Sequence, residues 1–141
     1  MIAYATYCSH SKSPEPVLVP AVRRYASGRI GKVAAIADLD GRPLRILSGK
    51  YGWLKPDSMI EDYDHLLTRA EVPELAAGVT GRLSEEGTQA VVFFARRPYA
   101  DPNVEPYLEV IERACRGARV RLCIVWLGET EADHRSEAQA P

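Results

Sequence analysis

The chain has 141 residues, 46% hydrophobic and 26% charged, with a formal net charge of −1 and a pI of about 6.3. That is one domain's length of chain with enough apolar residues for a core. The near-neutral balance excludes the broad basic surface of a non-specific duplex binder, but not a pocket for one nucleotide, where two or three cations suffice.

No apolar run approaches the roughly 20 residues of a membrane span. Residues 1–7 lack the basic segment that opens a signal peptide. The three cysteines, Cys8, Cys115 and Cys123, have no CxxC spacing, so neither a disulfide framework nor a cysteine zinc site is expected. The resulting expectation is a reducing, cytoplasmic compartment.

In chain order, residues 2–7 form a short run rich in β-formers and are expected as the first strand. Two helices follow, over 17–27 and 29–39. Pro20 is tolerated near the start of the former, and Ile30, Val33, Ala34 and Ala37 repeat at helical spacing in the latter. The turn Asp40-Gly41-Arg42-Pro43 leads to a strand at 44–48. A helix over 72–86 carries Leu75, Val79 and Leu83 at four-residue intervals, and Gly87 stops it. The run Val91-Val92-Phe93-Phe94, within a strand at 89–95, is continuous in the way of a strand buried on both faces. The last helix, 104–116, shows a stripe of Tyr107, Val110, Ile111 and Ala114 and ends at Gly117. The last strand, 120–127, has the same buried character. Cys115 and Cys123 are expected in the core.

Alternating strands and helices predict an α/β fold, a three-layer sandwich with a central, mostly parallel sheet of about four strands flanked by helices. Residues 1–128 form one domain, and 129–141, which includes His134, is a polar tail expected to be flexible. The pattern leaves strand order open.

In parallel α/β sheets, ligands bind beyond the carboxyl ends of the strands. Three loops qualify. The loop over 48–65 is long for a crossover and mixes apolar anchors, Leu54 and Ile60, with Lys50, Tyr51, Asp57, Glu61, Tyr63 and Asp64. Gly49 and Gly52 flank Lys50-Tyr51, allowing backbone to approach a ligand. The loop Cys8-Ser9-His10-Ser11-Lys12-Ser13 gathers a thiol, hydroxyls, an imidazole and an ammonium, which suits an anion or a nucleophile. The loop over 96–103 carries Arg96 and Arg97, able to fork onto phosphate or carboxylate, and Tyr99, able to stack on a base. Each loop also reads as an ordinary solvated turn. His10, His65 and His134 make no zinc pattern. GxxxxGK[ST], GxGxxG and GxSxG are absent, so no metal or cofactor is expected.

The stretch from Leu47 to Tyr63 resembles the signature L-S-x-x-Y-G-x-L-x-P-x-x-x-I-x-x-Y of the YaaA-type peroxide-stress proteins and their smaller relatives. Tyr7-Cys8-Ser9-His10-Ser11-Lys12, Tyr25-Ala26-Ser27 and Tyr99 are similar to further features of that family, over roughly residues 2–112. Proteins of this kind are linked with DNA protection in stress and with 7-deazaguanine processing in DNA or tRNA, and the resemblance implies a uracil-glycosylase-like α/β sandwich. The relatives usually carry proline before the last motif tyrosine and a basic residue after it. Here Asp62-Tyr63-Asp64 is acidic and the chain is shorter, which points to a nucleoside or nucleotide rather than a duplex.

The residues and the resemblance together lead to an enzyme acting on a nucleoside, nucleotide or modified base, hydrolysing an N-glycosidic bond or remodelling the base. Asp57, Glu61 and Asp64 are the candidate carboxylates that would stabilise positive charge on the sugar. Cys8 is a nucleophile if the chemistry is covalent addition to the base. Ser9, Lys12, Ser48, Lys50, Tyr51, Gly52, Tyr63, Arg96 and Tyr99 are the candidate substrate contacts. Two alternatives stay open. One is a non-catalytic nucleotide- or nucleic-acid-binding stress protein, and the other a docking module anchored by an exposed Trp53 and Tyr51.

Overall fold

A computed structural model describes residues 1–10, 12–25 and 27–128. The expected tail, 129–141 with His134, lies outside the described residues, as do Ser11 and Ala26.

The elements run β1 (Ile2–Tyr7), β2 (Val19–Pro20), α1 (Ala21–Arg24), α2 (Gly28–Leu39), β3 (Leu44–Ser48), β4 (Gly52–Leu54), β5 (Met59–Ile60), α3 (Val72–Glu85), β6 (Ala90–Ala95), α4 (Glu105–Ala118) and β7 (Arg121–Trp126). Single 3-10 turns at Arg69–Glu71 and Pro102–Val104 lead into α3 and α4. Five strands form a mixed sheet in the order β4-β3-β1-β6-β7; β2 and β5 pair separately. Four of the five are parallel, and β4 alone runs antiparallel, against β3. The fold is therefore α/β with a mostly parallel sheet.

The strands' period of two divides the apolar residues between two clusters. Ala3, Ala5, Val91 and Phe93 join a large one with Val79 and Leu83 of α3 and Val110 and Ile111 of α4. Leu44 and Phe94 join a smaller one with Val33 and Ala37 of α2.

Three expectations are corrected. The helix over 17–27 shrinks to α1, preceded by β2. Pro20 sets its start, and the fully buried Arg24 donates to the carbonyls of Ser13, Glu15, Val17 and Ile60, holding 13–17 as loop. The loop over 48–65 contains structure: a hairpin to β4, and then β5. Residues 49–51 turn the chain, Ser48 Oγ accepts from the backbone N–H of Lys50 and Tyr51, and Gly52 closes the turn at φ +78°. This adds the fifth, antiparallel strand. Finally, β7 is an edge strand whose residues are exposed or half-buried, and Cys123 is exposed rather than core, whereas Cys115 is buried.

The chain winds from β1 to β3 on one side, then returns to place β6 on the other side of β1. The connections after β1 and β6 thus leave in opposite directions, opening a crevice at their carboxyl ends.

Candidate functional site

A cleft of about 270 Å³ occupies that crevice. Its floor is the end of β1, where Tyr7, Cys8 and Ser9 are all buried. β6 and the loop after it contribute Arg96 and Asp101, the first turn of α2 contributes Arg29, and Tyr107 enters from α4. His10 and His65 stand at its edge.

Arg29 explains how the β1 end is held. Its side chain is 3% exposed, lies 3.7 Å over the Tyr7 ring, and donates to Thr6 Oγ1 (2.7 Å), the Tyr7 carbonyl (2.6 Å) and the Cys8 carbonyl (3.3 Å). Thr6 Oγ1 in turn donates a hydrogen bond to the Phe94 carbonyl, tying β1 to β6. Tyr7 Oη donates to Asp101 Oδ2 at 2.8 Å, and Asp101 Oδ1 accepts from the Asn103 N–H at 3.2 Å. Burial keeps the Tyr7 phenol far above its ordinary pKa, so it is a fixed donor to that carboxylate.

Cys8 lies against a buried cluster of phenols. Its Sγ donates to Tyr107 Oη at 3.4 Å. The Tyr25 and Tyr63 hydroxyls are 2.5 Å apart, and Tyr63 Oη also bonds Ser48 Oγ at 2.8 Å. Burial raises the pKa of Tyr25, Tyr63 and Tyr107, leaving all three protonated. Lys12 Nζ stands 4.6 Å over the Tyr63 ring.

A second, shallower groove adjoins the cleft at His65 and is bordered by Lys50, Glu61, Asp62, Tyr63, Asp64 and Glu71. Glu61 Oε1 accepts from Lys50 Nζ (2.7 Å) and Tyr51 Oη (2.8 Å), and these bonds hold its carboxyl below the usual range. Glu61 is therefore ionised and engaged at neutral pH, the wrong state for an acid. His65 Nε2 is 2.7 Å from Glu71 Oε2.

The sequence-derived candidates thus divide three ways. Cys8, Ser9 and Arg96 line the cleft; Lys50, Glu61, Tyr63 and Asp64 border the groove. Asp57 is exposed and borders neither, so the three candidate carboxylates do not converge. Ser48, Gly52 and the Tyr63 hydroxyl build the hairpin and the phenol cluster, and Tyr51 and Lys12 pack around Tyr63. Tyr99 is 77% exposed and outside the cleft lining. Trp53, which the docking alternative needs on the surface, is 3% exposed, and this counts against that alternative. Arg29, Asp101, His65 and Tyr107 were missed as site residues. Arg29 reads as an ordinary first-turn residue, and only the switch in strand order brings it to the crevice. Asp101 was within reach, since it lies in the loop that supplied Arg96 and ends where a helix begins.

Among the described residues, no group of three or more His, Cys, Asp or Glu is disposed to hold a metal ion, and no helix is long and apolar enough to cross a membrane. No curated protein matches the chain, and no solved structure does. A family model, however, matches residues 6–128, nearly everything from β1 through β7, and the chain therefore belongs to that family, described as a family of unknown function (DUF6884).

Proposed function

We propose that this protein is an enzyme that binds a nucleoside or nucleotide in the cleft between β1 and β6 and hydrolyses its N-glycosidic bond. The observation that carries the reading is the meeting of a carboxylate, Asp101, with two buried arginines and two imidazoles in one crevice at the strand-order switch. As the C1′–N bond breaks, its electrons leave on the base and positive charge grows on the sugar. The Asp101 carboxylate, aimed by Tyr7, stabilises that charge while water adds at C1′. His10 or His65 supplies the proton that the departing base takes up, and the proton that water loses on adding at C1′ restores it. In this reading Asp101 takes the role first given to Asp57, Glu61 and Asp64. The resemblance of 47–63 to YaaA-type proteins supports the choice of ligand class. The same reading takes the fold as a three-layer sandwich, supported by the two apolar clusters, and the compartment as cytoplasmic.

One observation favours binding without turnover: both Asp101 oxygens already accept hydrogen bonds. The test is incubation with nucleosides, nucleotides and 7-deazapurine analogues, followed by chromatography for free base. Turnover that falls about 10²- to 10³-fold in Asp101→Asn supports the enzyme. Binding without turnover in the wild type replaces it with the binding-protein reading, and neither binding nor turnover refutes both.

A further inference from the structure

The sign of the cleft's charge selects among the ligands that the preceding proposal admits, and this inference rests on that reading. The whole chain carries −1. Among the residues lining the cleft, however, there are two arginines and a single acid, Asp101. Both arginine side chains are more than nine-tenths buried, Arg29 at 3% exposure and Arg96 at 6%. Guanidinium charge with this little access to water acts on a ligand with little screening. The adjoining groove is opposite in sign, with Glu61, Asp62, Asp64 and Glu71 against Lys50. An anionic ligand is attracted to one end of the combined site and repelled from the other.

We infer that the substrate carries a phosphate, that this phosphate sits at the Arg29–Arg96 end of the cleft, and that the preferred ligand is a nucleoside monophosphate rather than a nucleoside. The planar fork of a guanidinium matches the oxygens of a phosphate, and bonds between two charged partners are the strong ones. Arg29 already spends donors on the carbonyls of Tyr7 and Cys8, so it orients the site as well as charging it. Arg96 is the residue to vary, because Arg29 also holds the end of β1. The groove's carboxylates then face the nucleoside end, where base amino groups are donors.

Isothermal titration with inorganic phosphate, a nucleoside and the matching 5′-monophosphate tests this directly on the full chain. The expected result is a monophosphate affinity about 10- to 100-fold above that of the nucleoside, with inorganic phosphate competing against the monophosphate. The preference should collapse in Arg96→Gln and largely return in Arg96→Lys. If Arg96→Gln does not fold by circular dichroism, the wild-type preference and the phosphate competition decide alone. Equal affinity for nucleoside and monophosphate, or phosphate that fails to compete, overturns the phosphate site while leaving the nucleoside reading standing. Phosphate binding without nucleoside or monophosphate binding supports the anion site and overturns the nucleoside reading instead. No binding of any of the three overturns both.

Discussion

Alanine at Gly49 and alanine at Gly31 should move stability in opposite directions, and the structure supplies the magnitudes. A Cβ at Gly49 would stand 3.0 Å from Tyr107 Oη, 3.1 Å from Leu67 Cβ and 3.4 Å from the Leu67 nitrogen. Carbon atoms pack comfortably at about 3.5–4.0 Å, so Leu67 would have to yield by roughly half an ångström. It cannot do so by rotating, because its Cβ is fixed to the backbone. Tyr107 is no freer. Its ring packs 5.6 Å from the Tyr7 ring, and its hydroxyl accepts from Cys8. Overpacking of this kind costs about 1–3 kcal/mol. For a chain of this length each kcal/mol lowers Tm by about 3–5 °C. At Gly31, inside α2, an added Cβ meets nothing within 4 Å. There alanine only restricts the unfolded chain and should contribute about 0.5–1 kcal/mol. Thermal and urea unfolding of the two variants beside wild type make the assay. If Gly49→Ala leaves Tm unchanged, or shifts it in the same direction as Gly31→Ala, the close approach of the hairpin turn to α4 is refuted.

Three further outcomes are expected. Arg24→Met strips donors from the carbonyls of Ser13, Glu15, Val17 and Ile60 and should cost about 3–4 kcal/mol in urea unfolding; Arg23→Met, which breaks only an exposed pair with Glu15, should cost under about 1 kcal/mol, and similar losses in the two would contradict the cage. Glu61 and Glu71 are held below the ordinary carboxylate value of 4.5, chiefly by bonds from Lys50 and from Thr68. A depressed folded value means the stabilisation is present above about pH 4.5 and is lost as pH falls through the folded value. Acid unfolding of Glu61→Gln should therefore show a shallower pH dependence than wild type, and parallel curves would count against the Lys50–Tyr51–Glu61 contact. Burial pushes the Cys115 thiol up to about 11, so it should react with a disulfide reagent at pH 8 only after unfolding. Exposed Cys123 should react at once, and a fast phase that survives Cys123→Ser would place an exposed thiol elsewhere.

What the sequence disclosed depends on length and periodicity. α2, α3 and α4 and the four parallel strands each carry several repeats of their period, and all were legible within a few residues. β2 and β5 have two residues each and β4 three, too short to show alternation. The pairing of β4 with β3 comes from a side chain, Ser48 Oγ, and from a glycine at φ +78°, whereas β2 and β5 pair with each other, Pro20 opposite Met59, 39 positions apart in the chain. The expected helix at 17–27 failed because its local pattern competes with Arg24, whose carbonyl partners lie up to 36 residues away. Cys123 reads as apolar and buried among Leu122, Ile124 and Val125, but β7 is an edge strand. Edge position is a property of strand order, which no window of residues contains. The same limit hid Arg29.

The segment with the most recognisable pattern is therefore not the segment that fills the cleft. Leu47, Leu54, Ile60 and Tyr63 are buried, Ser48 caps the turn, Gly52 closes it, and the Pro56 carbonyl accepts from the Val22 N–H. The charged side chains of this stretch that make contacts, Lys50 and Glu61, satisfy each other at 2.7 Å. Its work is to dock a hairpin so that Tyr63 reaches Tyr25 and Gly49 fits under Tyr107. Chemistry at the crevice needs side chains rooted at the carboxyl end of a strand or in the first turn that follows. Few positions meet that condition, and here they are occupied by Cys8, Arg29, Arg96 and Asp101. A pattern spread along one hairpin constrains packing at many sites and is easy to read. A site assembled from scattered residues of two connections leaves no pattern along the chain, and it becomes visible only when the strand order brings those residues together.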